Sequence, residues 1–157
     1  MAATTLERDI PAGAPLLLDT SVLLAYLDGN EPVSPLAIEI IDGFVQPGRN
    51  RASVSAVTAA EVLVRPFAAE VRAVATAELL LRHFPNLLVA DVTYDAAREA
   101  ARIRAQTGLP MPDALILSTA MVLGIGHVVA NDDRWRGAVE KVLPTIQLCH
   151  LGGYLPR

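Results

Sequence analysis

The 157-residue sequence predicts a three-layer α/β/α fold, with helices on both faces of a central, mainly parallel sheet of about four to five strands. Short apolar runs of strand length alternate along the chain with longer segments of helical periodicity. Two of these runs lead into carboxylates: Leu16–Leu18 precedes Asp19, and residues 127–130 precede Asn131 and Asp132. Ligands of parallel α/β sheets bind outside the carboxyl ends of the strands, so we expect the functional site at this edge.

The composition is that of a folded chain with an enclosed core. Hydrophobic residues make up 52% of the sequence and charged residues 19%, which excludes a disordered or fibrous protein. We expect a flexible lead-in over residues 1–14 and a single domain over residues 15–157. The amino terminus lacks a secretory signal and Cys149 is the only cysteine, so we expect a cytoplasmic location without disulfides. The net charge of −4 argues against a nucleic-acid-binding protein, since such domains usually carry a basic surface. Four clustered acids would account for that charge by themselves.

One uncharged stretch, residues 114–130, approaches the length of a membrane-spanning helix. Gly124 and Gly126 interrupt this stretch, and Asp113 and Asp132 bracket it. A buried helix, a glycine turn and a strand explain the pattern better, so we expect no contact with a membrane.

The first elements follow from the local sequence. Leu16–Leu18 is a strand, and residues 20–27 form a short apolar helix that stops at an Asp-Gly-Asn turn. Ser34 is the expected cap of the next helix, and Pro35 fits its first turn. That helix then runs through residues 36–45.

The central elements begin with a strand over residues 52–54. Thr58 and Glu61 have the spacing of a capping box, which predicts a helix that starts there and ends before Pro66. A longer amphipathic helix is expected over residues 69–83.

The remaining strands and helices continue the alternation. Pro112 fits the first turn of a buried helix over residues 113–123. The other expected elements are a strand over residues 87–90, a helix over 94–106, a strand over 127–131, a helix over 135–142 and a strand over 145–148.

Four acids lie at the ends of these elements, and each has a simple structural explanation. Asp19 is suited to cap a helix, Glu61 fits the capping box, and Asp113 favours a helical first turn. Asp132 and Asp133 fit a polar turn. Local capping does not require the acids to meet, whereas the α/β fold brings them to one edge of the sheet. The combination therefore predicts a carboxylate site for a hard divalent cation.

Other constellations are weaker. The three histidines, His83, His127 and His150, lack metal-ligand spacing and are expected to be structural. The sequence contains no nucleophile elbow and no phosphate-binding loop ending in Gly-Lys-Ser/Thr. Trp135 is expected to be a core anchor.

Four segments, in order along the chain, resemble the motifs of PIN-domain nucleases. They are LLLDTSVLLAYL (residues 16–27), SAVTAAEVL (55–63), PDALILSTA (112–120) and VANDDRW (129–135). The size and arrangement resemble the VapC-type toxins of bacterial toxin–antitoxin pairs. One departure is Ala130, where the family often has Thr or Ser.

The resemblance implies a PIN-like fold and an endoribonuclease that hydrolyses RNA phosphodiester bonds. The residues it implies as catalytic ligands of Mg²⁺ or Mn²⁺ are Asp19, Glu61, Asp113 and Asp132. The candidates for site support are Ser21, Asn131 and Asp133, and those for substrate contact are Arg134 and Arg136. The fourth acid stays open between Asp132 and Asp133, with the register favouring Asp132.

The resemblance also implies partners: an RNA substrate and a cognate antitoxin protein. We expect a homodimer as well, because the chain is more apolar than one small core needs and residues 69–81 offer alanine and valine for close helix packing.

Two other classes of protein also place acids at strand ends. A receiver domain needs a lysine near its site, but the only lysine, Lys141, lies in a late helix. A haloacid dehalogenase-type phosphatase needs a second Asp two residues after the first, where this chain has Ser21. A catalytically weak or silent PIN fold that acts as a binding module remains the main alternative.

Overall fold

The computed structural model describes residues 5–156, and its centre is a five-stranded parallel sheet. The strands are β1 (Leu16–Leu18), β2 (Ala52–Ser55), β3 (Leu87–Ala90), β4 (His127–Ala130) and β5 (Gln147–His150). Their order across the sheet is β3-β2-β1-β4-β5, and each neighbouring pair is parallel. The parallel sheet agrees with the prediction, although β5 begins two residues later than expected and places His150 at its carboxyl end.

Eight α-helices connect and cover the strands over the described residues. They are α1 (Thr5–Asp9), α2 (Thr20–Asp28), α3 (Ser34–Ile38), α4 (Ala56–Ala69), α5 (Val71–His83), α6 (Tyr94–Thr107), α7 (Met111–Leu123) and α8 (Arg134–Val142). A π-helical segment, Glu39–Val45, continues α3, and a 3₁₀ turn, Leu151–Tyr154, follows β5.

The sheet separates two hydrophobic clusters, which makes the predicted three layers. Side chains of a strand alternate between the two faces, so Leu16 and Leu18 pack on one side and Leu17 on the other. The first face is covered mainly by α1, α2, α3 and α5, and the second by α6, α7 and α8. All three leucines are fully buried, which makes β1 the centre of the core.

A short helix and buried side chains lie within residues 1–14, the range over which the sequence predicts a flexible lead-in. Residues 1–4 lie outside the described part, but Thr5–Asp9 is a helix whose Leu6 is 1% exposed. Ile10 is fully buried in the same cluster. Arg49 and Asn50 donate side-chain hydrogen bonds to backbone carbonyls of this segment. The short helix was missed because its contacts are about 40 residues distant in the sequence.

Helix α4 begins and ends differently from the capping-box prediction. Ser55 is its cap and accepts a hydrogen bond from the backbone N of Val57, which places Thr58 and Glu61 inside the helix. The helix also continues through Pro66 to Ala69. A proline inside a helix lacks an N–H donor, but the Pro66 carbonyl still accepts a hydrogen bond from the backbone N of Glu70. The side chains of Thr58 and Glu61 are therefore available for contacts outside α4.

The predicted cap at Ser34 is also wrong. Val33 precedes α3 at the cap position, and the fully buried Ser34 hydroxyl donates to the Ala25 carbonyl at 2.6 Å. This bond joins α3 to the last turn of α2, which explains the polar residue at a core position.

The uncharged stretch of residues 114–130 folds as the sequence predicted. It forms most of α7, a left-handed turn at Gly124 (φ 67°) and strand β4. Among residues 5–156, no helix is long and apolar enough to cross a membrane.

Candidate active site at the carboxyl edge of the sheet

Asp19 follows β1 directly and is the most buried of the four acids. Its backbone has extended dihedrals and its side chain is the cap of α2, so the capping role and a site role coincide in one residue. Its residue surface is only 5% exposed. Burial raises the pKa of Asp19 to about 6, although hydrogen bonds from Ser21 and Thr20 oppose that shift. The carboxylate is therefore a high-energy group in the absence of a cation.

Ser21 joins the ends of the two central strands. Its Oγ donates to Oδ2 of Asp19 at 2.6 Å and accepts from the backbone N of Asn131 at 2.9 Å. Ser21, a candidate for site support, thus contacts Asp19 directly. The Asn131 side chain instead accepts from the backbone N of Gly152 at 3.0 Å, which ties β4 to the turn after β5.

Glu61 is held by a residue that the sequence analysis did not single out. The Thr20 hydroxyl donates to Oε1 of Glu61 at 2.7 Å and lies 3.1 Å from Oγ1 of Thr58. Thr58 and Glu61 share a helical face because they are three residues apart. The available signal was the Asp19-Thr20 pair at the end of β1, but only the fold shows that α4 packs beside it.

Asp113 and Asp132 meet through Arg134. Nη2 of Arg134 lies 2.6 Å from Oδ2 of Asp132 and 3.1 Å from Oδ2 of Asp113. Its Nε also donates to Oδ1 of Asp132 at 3.0 Å. Arg134 is a candidate for substrate contact, and in this structure its guanidinium binds the acids. Charge explains this contact, since clustered carboxylates attract the nearest guanidinium.

The four acids influence one another electrostatically. Burial is the largest cause of the raised pKa of Asp113; Arg134 opposes it, while the charges of Asp132 and Glu61 reinforce it. Asp113 in turn contributes to the raised pKa of Asp19. The hydrogen bond from Arg134 is the largest cause of the lowered pKa of Asp132. One guanidinium therefore satisfies Asp132 far better than it satisfies Asp113.

These residues fit a hard divalent cation in chemistry and charge. All four supply carboxylate oxygens, which Mg²⁺ and Mn²⁺ prefer. Oδ2 of Asp113 is buried and accepts no hydrogen bond from residues 5–156; its ion pair with Arg134 is close but not aligned. Within the same residues, no three Asp, Glu, His or Cys side chains are already arranged to hold a metal. The fit thus requires Arg134 and the acids to rearrange.

Asp133 points away from this cluster, which separates it from Asp132. Its Oδ1 lies 3.1 Å from Nε2 of His150 and 3.8 Å from Nε of Arg136. Nη2 of Arg136 lies 2.8 Å from Nδ1 of His150. The geometry therefore groups Asp132 with Asp113, and groups Asp133 with Arg136 and His150.

Trp135 lies beneath the site, next to Asp113. It is fully buried, as expected for a core anchor, and packs in the cluster that contains α7 and α8. Its indole N–H lies next to Asp113 and lowers the pKa of that carboxyl. Trp135 therefore connects the core to an acid of the site.

The sequence profile of the PIN domain matches residues 16–141, which contain all four acids. The chain belongs to the PIN-domain family. A comparison with curated proteins found no similar sequence.

Solved structures of toxin and toxin–antitoxin proteins have a fold similar to that of this PIN domain. VapBC-5 from Mycobacterium tuberculosis, a member of the VapBC family of toxin–antitoxin systems, is 25% identical to this chain, with a TM-score of 0.55. The match covers 87% of this chain and 98% of the other. VapBC2 from Rickettsia felis, solved with a fragment of its promoter DNA, has 17% identity and a TM-score of 0.63, with coverage of 87% and 98%. VapC20 from M. tuberculosis, a toxin that cleaves the sarcin–ricin loop, has 19% identity and a TM-score of 0.63, with coverage of 78% and 94%. These similarities show the fold.

Proposed function

We propose that this PIN domain is a metal-dependent endoribonuclease that acts as the toxin of a toxin–antitoxin pair. The observation that carries the proposal is the meeting of Asp113 and Asp132 beside Asp19 and Glu61 at the carboxyl edge of a PIN fold. The toxin–antitoxin proteins with similar structures support the toxin assignment.

The four acids would share one role, the binding of the metal. Asp113 and Asp132 would hold Mg²⁺ or Mn²⁺, together with Asp19 and Glu61. A bound divalent metal supplies a water of lowered pKa and offsets the negative charge that develops on the phosphate. Ser21 keeps Oδ2 of Asp19 in place through its 2.6 Å hydrogen bond. Thr20 keeps Glu61 turned toward the end of β1 through its 2.7 Å bond.

Cleavage of RNA by the purified protein tests this proposal. Protein freed of any antitoxin is expected to cut single-stranded or loop RNA in Mg²⁺ or Mn²⁺, and EDTA is expected to stop the reaction. Asp19→Asn and Asp113→Asn are expected to abolish cleavage while circular dichroism shows an intact fold. Cleavage by Asp19→Asn at the wild-type rate would contradict the assignment.

The antitoxin and a second copy of the chain are the proposed protein partners. Large apolar side chains of α4 and α5 are exposed: Val64, Phe67, Val71 and Leu79. Such a surface favours association through these helices, as expected from residues 69–81. Sedimentation is expected to show a dimer at tens of micromolar protein, and a Phe67→Ser/Val71→Ser variant is expected to be monomeric. A monomeric wild-type protein would remove the dimer from the proposal.

A PIN-fold binding module without catalysis is the second candidate. The position of Arg134 favours it, since its guanidinium already neutralises part of the acid cluster. This candidate predicts that the purified protein binds RNA or an antitoxin but neither binds Mn²⁺ nor cuts RNA. Calorimetric titration with Mn²⁺ separates the two functions.

A further inference from the structure

Two cavities beside the acid cluster meet at the side chains of Arg136 and His150. One has a volume of about 340 Å³, and Asn131, next to Asp132, is among its lining residues. The other has a volume of about 500 Å³ and extends toward Asp9 of α1. Arg136 and His150 line both cavities, so the pair lies at the boundary between them.

His150 holds Arg136 through one defined ring nitrogen. A guanidinium only donates hydrogen bonds, so the 2.8 Å contact from Nη2 of Arg136 requires Nδ1 of His150 to be the acceptor. The proton of the neutral ring is then on Nε2, which lies 3.1 Å from Oδ1 of Asp133 without an aligned hydrogen bond. The His150 side chain is only 10% exposed, whereas that of Arg136 is 53% exposed. A largely buried ring therefore holds an accessible guanidinium.

The charges of the two linings leave Arg136 as the position where a phosphate is attracted. Among the described residues, Arg136 is the only lysine or arginine that lines either cavity. The acids of the two linings, Glu31, Asp133 and Asp9, repel phosphate but accept hydrogen bonds from base amino and imino groups. A phosphate is thus confined to Arg136, while the flanking nucleosides meet carboxylates and apolar side chains.

A single strand suits this arrangement better than a duplex. Unpaired bases can be turned out of the strand into separate cavities, whereas paired bases stay stacked inside a helix. The groove begins beside Asn131, which follows β4 and precedes Asp132.

We propose that Arg136 and His150 form a subsite for a backbone phosphate of single-stranded RNA next to the cleaved bond, with Arg136 as the contact and His150 as its positioning residue. This inference rests on the proposed ribonuclease function. Held by His150, Arg136 loses less side-chain entropy on binding phosphate than a free arginine loses.

A double-mutant cycle tests whether His150 affects RNA binding through Arg136. Binding of a fluorescent single-stranded oligoribonucleotide is measured in the Asp113→Asn background, which prevents cleavage. Arg136→Gln is expected to weaken binding roughly tenfold and to reduce the salt slope by about 0.7. His150→Leu is expected to weaken binding several-fold, yet to add nothing in the Arg136→Gln protein.

Three further variants control for folding and charge. His150→Gln keeps an acceptor for Arg136 and is expected to restore most of the affinity. Arg102→Gln removes one positive charge from α6, where Arg102 contacts Glu99, and is expected to leave binding unchanged. Asp133→Asn removes the acid nearest Arg136 and is expected to tighten binding. Melting temperatures show which variants remain folded.

The outcomes separate this inference from the proposed function. Additive effects of Arg136→Gln and His150→Leu, or unchanged binding in Arg136→Gln, would overturn the subsite while the nuclease assignment stands. In the active protein, the subsite requires a higher KM with little change in kcat for both variants. A wild-type protein that neither binds nor cuts RNA would overturn the proposed function itself.

Discussion

At the scale of single residues, the main feature of the site is that one cationic side chain, Arg134, contacts two of its four acids. Arg134 bonds Asp132 closely and Asp113 less well, while Asp19 keeps a raised pKa in its buried position. Glu61 receives a hydroxyl hydrogen bond from Thr20. A divalent cation and Arg134 therefore compete for the same oxygens, and the balance of charge can be tested directly.

Replacement of Arg134 by Gln is expected to strengthen metal binding. The variant removes the guanidinium that occupies Oδ2 of Asp132 and approaches Oδ2 of Asp113. Calorimetric titration with Mn²⁺ is expected to give a Kd several-fold lower than that of wild type. The matched control, Arg136→Gln, removes the same charge outside the acid cluster and is expected to keep the wild-type Kd. A higher Kd for Mn²⁺ in Arg134→Gln would mean that Arg134 holds the acids in the positions that bind metal.

Replacement of Asp19 by Asn is expected to stabilise the metal-free protein in a pH-dependent way. The pKa of Asp19 is about 6 in the fold, above its ordinary value of 3.8, so the folded state prefers the protonated acid. That preference contributes stability below pH 4, and the contribution is lost as the pH rises through 6. The difference is at most about 3 kcal/mol.

Thermal melts in EDTA from pH 4 to pH 8 measure this effect. Asp19→Asn is expected to melt several degrees above wild type at pH 7 and close to wild type at pH 4. A constant difference across this range would show that Asp19 titrates near its ordinary pKa.

At the scale of secondary-structure elements, a helix cap positions the helix that carries Glu61. Ser55 ends β2 and caps α4, the helix that carries Thr58 and Glu61. Thr93 has the same role in α6, which lies on the other face of the sheet. Each cap is a hydroxyl that accepts a backbone N–H of the first helical turn, but the two lie at different positions relative to the acids.

Ser55→Ala and Thr93→Ala are therefore a matched pair. Each is expected to cost about 1 kcal/mol in the free energy of unfolding, because each removes one side-chain cap. Only Ser55→Ala is expected to weaken Mn²⁺ binding, since it loosens the first turn before Glu61. Urea unfolding and metal titration measure the two effects, and equal metal affinity in both variants would contradict a role for α4 in aiming Glu61.

At the scale of the whole molecule, the fold brings together acids from four separate segments. Asp19 and Asp132 follow neighbouring strands β1 and β4, while Glu61 and Asp113 come from α4 and α7. Holding these charges together opposes folding, so a cation that binds only the folded state stabilises it.

Mg²⁺ or Mn²⁺ is expected to raise the melting temperature. A metal at one hundred times its Kd adds about 2.7 kcal/mol, which corresponds to roughly 5–10 °C for a chain of this length. The increase is expected to be much smaller in Asp113→Asn. A melting temperature that does not respond to millimolar metal would count against the metal site.

The sequence by itself determined the order of strands and helices, the parallel sheet and the position of Asp19 and Asp132 after β1 and β4. These features follow from local periodicity and from the rule that parallel strands present their carboxyl ends at one edge. The starts of apolar helical segments added Glu61 and Asp113, and the resemblance to PIN motifs implied the same four acids. The same local signals did not predict α1, and they placed the start of α4 at Thr58 although Ser55 caps that helix.

Only the tertiary structure decided which side chains meet. Thr20 reaches Glu61 across 41 positions of sequence, and Ser21 reaches Asn131 across 110. Neither local spacing nor charge pattern predicts contacts between residues so far apart in the sequence. Likewise, Asp132 and Asp133 are adjacent in sequence, yet one joins Arg134 and the other approaches His150. The physical reason is that a side chain takes its partner from the surface packed against it, and long-range packing alone brings that surface into place.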